Sequence, residues 1–126
     1  MFNPDKYRCV VWRKGARAYP QLDCFGIVNE VRRDLGLPAW PDFAGVTKDD
    51  HGLDREARKL MCELERCEPQ PGAGAACYTG SVVTHVGVVV ELDGALCVAE
   101  CNPGRNVTFL PLARFCRPYL RVEFFR

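Results

Sequence analysis

The stretch Asp23-Cys24-Phe25-Gly26-Ile27-Val28 opens the segment that decides the fold of this chain. From residue 24 to residue 35, apolar side chains recur at spacings of three and four, which predicts a helix with one buried face. Asp23 stands directly before this pattern, and its carboxylate can accept a hydrogen bond from a free backbone N–H at the helix start. Gly36 and Pro38 follow the last apolar position and predict the end of the helix.

A cysteine at the start of this helix lies in a distinctive chemical environment. We expect Cys24 in the first turn, where unpaired backbone N–H groups and the positive end of the helix dipole favour a thiolate over a thiol. The same N–H groups can hold the oxyanion of a tetrahedral intermediate, and Gly26 can let a substrate backbone approach. The alternative interpretation is a small buried cysteine that packs beneath the helix.

The rest of the chain changes from helical to strand-like periodicity. Apolar spacing predicts a second helix over about residues 53–67, which the Pro- and Gly-rich stretch 68–74 ends. Asp93-Gly94 predicts the turn of a hairpin. Helices followed by antiparallel strands predict an α+β fold, and 126 residues fit a single domain over 1–126. The predicted strands are residues 8–12, 75–78, 82–91, 95–101, 107–110 and 119–125, with a short helical turn at 112–115.

His85 lies inside the apolar run of residues 81–90, which predicts a strand. Alternation along a strand places His85 on the same face as Gly87 and Val89. Gly87 leaves space beside the imidazole, which suits a substrate channel. Histidine is the natural base for a cysteine nucleophile near neutral pH, so we interpret His85 as the base for Cys24. The alternative interpretation is a structural histidine whose ring nitrogens are satisfied within the sheet.

Composition and charge restrict the classes of function. The chain has 17 basic and 16 acidic residues and a formal net charge of +1, so no broad positive field favours nucleic acid. No stretch approaches the roughly 20 apolar residues that cross a bilayer, so we expect no membrane interaction. The first residues lack the pattern of a secretory signal, and we therefore expect synthesis in the cytoplasm with reduced thiols.

The chain contains eight cysteines, an even number that is compatible with disulfides or a metal site. No Cys-x-x-Cys spacing occurs, and the pairs Cys62/Cys67 and Cys97/Cys101 have no matching pair of histidines. We therefore expect neither a metal nor another cofactor. Most of these cysteines are interpreted as small buried apolar side chains.

The two motifs together resemble the NlpC-type family of papain-like cysteine peptidases. The resemblance rests on Asp-Cys-Phe-Gly-Ile-Val at 23–28 and on His-Val-Gly-Val at 85–88, in that order along the chain. It implies a papain-like fold with N-terminal helices packed on an antiparallel sheet, and cleavage of peptidoglycan stem peptides between D-γ-glutamate and diaminopimelate. Phe25 and the closing residues 122–126 resemble the phage-tail branch, which implies tail proteins as partners and a place in the virion tail.

Three positions depart from the family pattern. Trp12 stands where the family usually has a tyrosine, and Gly15-Ala16 replaces a Gly-Gly pair. The residue that orients the catalytic histidine is usually His, Asn or Gln, and Cys97 best fits that position by its distance from the histidine. Glu100 or Asn102 can take this role only with a shifted register.

The resemblance also implies a substrate-binding set. Within the loop of residues 38–52, His51 is interpreted as solvated, and Trp40 and Phe43 either line a groove or anchor the loop. For Asp23, helix capping is the simpler role. The residues expected to bind substrate are Trp12, Asp23, Gly26 and Gly87.

The expected function is a cysteine hydrolase that cleaves peptide or amide bonds in peptidoglycan stem peptides. A thiol is a poor acceptor for an imidazole N–H, so Cys97 in the orienting position favours a second hypothesis. Under that hypothesis the domain is catalytically weakened and serves in tail assembly or cell-wall binding. A third hypothesis is an amidase or acyltransferase on the same fold.

Overall fold

The elements follow the chain order expected from the periodicity of the sequence. The structure, a computed structural model, describes residues 2–126. Within these residues no helix combines the length and the apolar composition needed to cross a bilayer. The helices are α1 (Gly26–Asp34), α2 (Gly52–Met61) and α3 (Leu112–Cys116), with 3₁₀ helices at Pro4–Cys9 and Asp49–His51. The strands are β1 (Val11–Trp12), β2 (Arg17–Ala18), β3 (Gln21–Leu22), β4 (Arg66–Cys67), β5 (Gly74–Thr79), β6 (Val82–Leu92), β7 (Ala95–Asn102), β8 (Asn106–Pro111) and β9 (Arg121–Phe125).

Six strands form one antiparallel sheet in the order β4-β9-β5-β6-β7-β8. Three of the two-residue strands form a separate small sheet in the order β1-β3-β2, in which β1 and β3 run parallel. Helices α1 and α2 pack on one face of the large sheet, and α3 packs on the other. The α+β class predicted from the sequence is confirmed.

The two faces of β6 follow the predicted alternation. Val86, Val88 and Val90 join the apolar cluster beneath α1 and α2. Val89 points to the opposite face, where it packs in the cluster that contains Phe115 of α3. A strand buried on both faces accounts for the nearly continuous run of β-branched residues in this segment.

Strands β6 and β7 form the hairpin predicted by the Asp93-Gly94 pair. Both turn residues have positive φ, 52° for Asp93 and 81° for Gly94, as a two-residue type I′ turn requires. Leu92 pairs with Ala95 across the turn. The hairpin carries the second half of the candidate site.

Two predicted elements differ in extent because tertiary contacts override local periodicity. The second helix ends at Met61 rather than near residue 67, since β4 pairs with the last strand. Residues 8–12 are only partly a strand, because residues 8 and 9 belong to the 3₁₀ helix and β1 begins at Val11. Tyr7 in that helix is buried, and its hydroxyl donates a hydrogen bond to Asp34 at 2.6 Å.

Candidate active site

Cys24 lies in a turn that the Asp23 carboxylate holds immediately before α1. Asp23 Oδ1 accepts hydrogen bonds from the backbone N–H groups of Phe25 at 3.0 Å and Gly26 at 2.8 Å. Asp23 therefore has the predicted capping role, but the helix begins at Gly26, so Cys24 precedes its first turn. The N–H groups of Phe25 and Gly26 already donate to Asp23, so they are not free to bind an oxyanion. The expectation that the amides at the helix start hold an oxyanion is therefore wrong for these two residues.

The backbone N–H of Cys24 is the donor that remains. Among residues 2–126, no carbonyl oxygen or side chain accepts a hydrogen bond from it. This N–H belongs to the same residue as the thiol. An oxyanion formed by attack of Cys24 Sγ on a carbonyl group would therefore lie close to it.

A buried arginine connects the Cys24 turn to the loop after α1. Arg17 Nη1 lies 2.6 Å from Asp23 Oδ2, and the two side chains are only 8% and 10% exposed. Arg17 also donates to three backbone carbonyl oxygens within residues 42–46. The sequence carries no local signal for this role, because the partners come from separate segments of the chain.

The protein's own backbone, rather than a substrate, requires glycine at position 26. A Cβ at Gly26 would lie 2.5 Å from the carbonyl oxygen of Ala16. That oxygen also accepts a hydrogen bond from the Asp23 N–H at 3.1 Å. The predicted substrate-binding role of Gly26 is therefore corrected, because Ala16 occupies the space that the missing side chain leaves.

A β-bulge positions His85 on β6. Cys77 pairs with His85, whereas Tyr78 pairs with Val83, so Thr84 is an additional residue in this strand. His85 also lies beyond the last residues that pair β6 with β7. The imidazole thus stands where the regular ladder between these two strands has ended.

Glu100 on β7 accepts a hydrogen bond from the imidazole of His85. His85 Nε2 lies 2.8 Å from Glu100 Oε1, and the two residues are 4% and 9% exposed. Because an ionised carboxylate only accepts hydrogen bonds, Nε2 carries the proton and Nδ1 is the basic nitrogen. Asn102 Nδ2 donates to the same oxygen at 3.0 Å, which holds the carboxylate in place. Glu100 therefore fixes both the tautomer and the orientation of the ring.

The Cys24 thiol lies close enough to His85 to raise the pKa of its imidazole. Since Glu100 binds Nε2, Nδ1 is the nitrogen available to the thiol. Burial lowers the pKa of His85, but the neighbouring Cys24 thiol and the hydrogen bond with Glu100 outweigh burial and raise it overall. Burial raises the pKa of Glu100, but hydrogen bonds from His85 and Asn102 outweigh burial and lower it overall. These three groups form a connected Cys–His–Glu arrangement.

Cys97, expected from the sequence to orient the imidazole, lies elsewhere in the sheet. It pairs with Val90 on β6 and with Pro111 on β8. Val90 is five residues from His85, which corresponds to about 16 Å along a strand. Cys97 packs instead against the apolar cluster beneath α1 and α2. The expected orienting role of Cys97 is therefore wrong.

The length of the hairpin explains this correction. Because β6 continues to Leu92 before the chain turns, the returning strand comes level with His85 only near Asn102. Glu100 lies two residues earlier on the same face of β7 and reaches Nε2. Of the two substitutes considered, Glu100 is the acceptor, and Asn102 supports it.

A pocket of about 280 Å³ opens beside Cys24, and we call it the Cys24 pocket. Trp12 lines it, and its role in substrate binding stays a prediction. Asp23 also borders it, but its carboxylate is already bound by Arg17 and by two backbone N–H groups. Other side chains that face the pocket are Lys14, Phe25, Lys48 and Asp49.

Gly87 leaves no substrate channel beside His85. A Cβ at this position would lie 2.7 Å from Val98 Cγ1 and 3.3 Å from Phe115 Cζ. The predicted substrate-binding role of Gly87 is therefore corrected. Glycine at this position lets α3 and β7 pack closely on β6.

The aromatic residues of the loop after α1 anchor it to the protein. The Trp40 backbone N–H and carbonyl both bond with the side chain of Asn29, and the Arg32 guanidinium lies 3.8 Å from the centre of the Trp40 ring. Phe43 packs edge-on against Phe25, with ring centres 5.5 Å apart. His51 is exposed at the start of α2.

All eight cysteines are unpaired thiols in the structure. Within residues 2–126, no group of three His, Cys, Asp or Glu side chains is placed to hold a metal ion. No protein-family model, curated protein or solved structure matches the chain. The functional proposal therefore rests on the geometry around Cys24, together with the motifs that carry the resemblance.

Proposed function

We propose that the protein is a cysteine hydrolase that cleaves peptide or amide bonds in peptidoglycan stem peptides, on a papain-like NlpC-type fold. The observation that carries the proposal is the Cys24–His85–Glu100 arrangement beside an open pocket. Nucleophile, base and orienting acceptor are brought together from a turn and two strands, and a purely structural domain needs no such combination. The type of bond, between D-γ-glutamate and diaminopimelate, follows from the family resemblance.

Each group has a definite role in the proposed reaction. Cys24 Sγ attacks the carbonyl carbon while His85 Nδ1 takes the thiol proton, and the Cys24 N–H donates to the resulting oxyanion. His85 then gives its proton to the leaving amine, which departs as the thioester forms. Water activated by Nδ1 hydrolyses the thioester and releases the acid. Glu100 stabilises the imidazolium that forms in both steps.

The alternative of a catalytically weakened assembly or wall-binding module loses the feature that favoured it. That feature was a thiol at the orienting position, and Glu100 supplies a carboxylate there instead. The resemblance of Phe25 and residues 122–126 to the phage-tail branch still supports a tail-associated setting, with tail proteins as partners. An amidase would use the same three groups on a different amide bond, and an acyltransferase would use them with an acyl acceptor other than water.

The proposed activity is tested by the release of free amines from purified muropeptides. Wild type is expected to release amines, and Cys24→Ala and His85→Ala are expected to abolish the release. Cys62→Ala is the matched control, because Cys62 is exposed and lies outside the Cys24 pocket. Wild-type protein that releases no amine, or Cys24→Ala protein that remains active, would refute the proposal.

A further inference from the structure

The charges around the Cys24 pocket are compensated at every position except one. Asp23 is neutralised by Arg17 at 2.6 Å. Lys14 Nζ lies 2.5 Å from Asp49 Oδ2, so these two charges cancel. Lys48 also lines the pocket, and among residues 2–126 it has no ion-pair partner. The pocket therefore carries one uncompensated positive charge.

This positive charge acts on the catalytic groups. The ammonium group of Lys48 is one of the charges that lower the pKa of His85, which places it within electrostatic range of the imidazole. The pocket it borders has room for an acyl group of amino-acid size. A ligand that places a carboxylate in this pocket would supply the missing negative charge next to Cys24.

We propose that Lys48 is a specificity-determining residue that binds a carboxylate on the acyl part of the substrate. The inference rests on the proposed hydrolase function for its substrate. In a γ-glutamyl linkage the α-carboxylate remains free on the acyl residue, so the chemistry of such a substrate matches the uncompensated charge. An amidated acyl residue has the same shape but lacks the negative charge, and it is the disfavoured ligand.

A pair of alkylating reagents tests the anion site without requiring hydrolysis. Iodoacetate carries a carboxylate, and iodoacetamide is its neutral amide. The rate of modification at Cys24 is followed by peptide mass spectrometry for each reagent, and the ratio of the two rates reports a local preference for anions. We expect Lys48→Ala to lower the iodoacetate-to-iodoacetamide ratio about fivefold, because it removes a unit charge at close range in a partly solvated site.

Two control variants isolate the charge of Lys48. Lys48 has an ordinary backbone conformation, with φ of −73°, so alanine is tolerated there. Lys48→Arg keeps the charge and should keep the ratio. Lys59→Ala removes an exposed lysine of α2 that lies outside the pocket and pairs with Glu56, and it should also leave the ratio unchanged.

Several outcomes would overturn the inference. Unchanged rates with both reagents in Lys48→Ala would show that no anion is held, whereas equal losses with both reagents would show that Lys48 acts on the thiolate itself. A Cys24 that reacts with neither reagent would mean that the pocket admits no ligand.

A second experiment uses muropeptides whose glutamate α-carboxylate is either free or amidated. Wild type should have the lower KM for the free acid, and Lys48→Ala should remove that difference. Equal KM values for the two muropeptides in wild type would overturn the inference. If neither muropeptide is cleaved while the alkylation ratio depends on Lys48, the hydrolase proposal fails and the anion site stands.

Discussion

Glu100 accepts a hydrogen bond from Nε2 of His85 at 2.8 Å, and both side chains are buried where β6 and β7 cease to pair. A buried carboxylate at this distance stabilises the charged form of the ring and fixes which nitrogen is basic. The first two predictions follow from this contact.

Glu100→Gln is expected to lower the pKa of His85. The carboxylate raises this pKa by its hydrogen bond, and the neutral amide cannot stabilise the imidazolium to the same degree. The measurement is an NMR titration of the histidine ring protons. The chain has only two histidines, so a His51→Gln variant leaves the ring signals of His85 alone to be followed. An unchanged His85 titration in Glu100→Gln would contradict the assigned role.

The contribution of this pair to the free energy of unfolding should fall at both low and high pH. Glu100 has a lowered pKa in the folded state, so its contribution is present above its ordinary value of 4.5 and is lost as pH falls through the folded value. His85 has a raised pKa, so its contribution is complete below its ordinary value of 6.5 and is lost as pH rises through the folded value. Urea unfolding of wild type and Glu100→Gln should therefore differ most between these two ordinary values. A difference that grows steadily with pH would contradict the pairing.

Substitution of Cys97 should leave catalysis unaffected. Cys97 is half-buried opposite Val90 and is remote from the imidazole, so Cys97→Ala is expected to retain wild-type hydrolysis of muropeptides. Glu100→Ala is the contrasting variant, because loss of an orienting acceptor reduces kcat by up to the order of 10⁴-fold. Cys97→His should give no gain in rate. If Cys97→Ala lowered kcat as much as Glu100→Ala, the assignment of the acceptor would be wrong.

Arg17→Met should destabilise the protein strongly. The substitution leaves the buried Asp23 carboxylate without its partner and three carbonyl oxygens without their donor, which costs about 3–5 kcal/mol by analogy with other broken buried pairs. Urea denaturation provides the measurement. Arg55→Met on the exposed side of α2 is the control and should change the free energy of unfolding by about 0.5 kcal/mol or less. A small effect at Arg17 would mean that solvent replaces its contacts.

Gly87→Ala should weaken packing between the sheet and α3. The added methyl would meet Val98 at 2.7 Å and the carbonyl oxygen of Ala99 at 3.1 Å, both in buried positions. Overpacking of this kind costs about 1–3 kcal/mol. Thr84→Ala is the control, because it changes a half-buried residue of the same strand and should reduce the free energy of unfolding by less. Gly80 is unsuitable as a control because it has positive φ, where alanine is strained. Thermal unfolding of both variants tests this expectation.

The parts of the fold that depend on local sequence could be predicted. Helix α1 follows from apolar spacing after Asp23, and the hairpin follows from Asp93-Gly94 between β-branched runs. The sequence also contains enough information to place Glu100 near His85. If the antiparallel register is extended from the Asp93-Gly94 turn, the residue opposite His85 is Asn102. Glu100 lies two residues before Asn102 and therefore on the same face of β7. A residue count from the histidine by the family pattern gives Cys97 instead, because such a count does not take the position of the turn at Asp93-Gly94 into account.

The remaining features depend on contacts between distant segments. Arg17 cannot be recognised from its neighbours in the chain, since its partners are Asp23 and the carbonyl oxygens of residues 42–46. The close approach of Ala16 to Gly26 is equally invisible in the sequence. Lys48 is recognised as an unpaired charge only when the ion pairs of the other charged residues in the Cys24 pocket are known.

In the proposed hydrolase, the nucleophile and the groups that activate it come from separate parts of the chain. Cys24 precedes α1, whereas His85 and Glu100 lie on β6 and β7. During translation the ribosome exposes the thiol long before it has made either partner. Until the hairpin has been synthesised and has packed against α1, Cys24 lacks the imidazole that we propose as its base. Under the hydrolase proposal, a nascent or truncated chain would therefore carry an ordinary thiol, and Cys24 would become activated only once β6 and β7 have packed against α1.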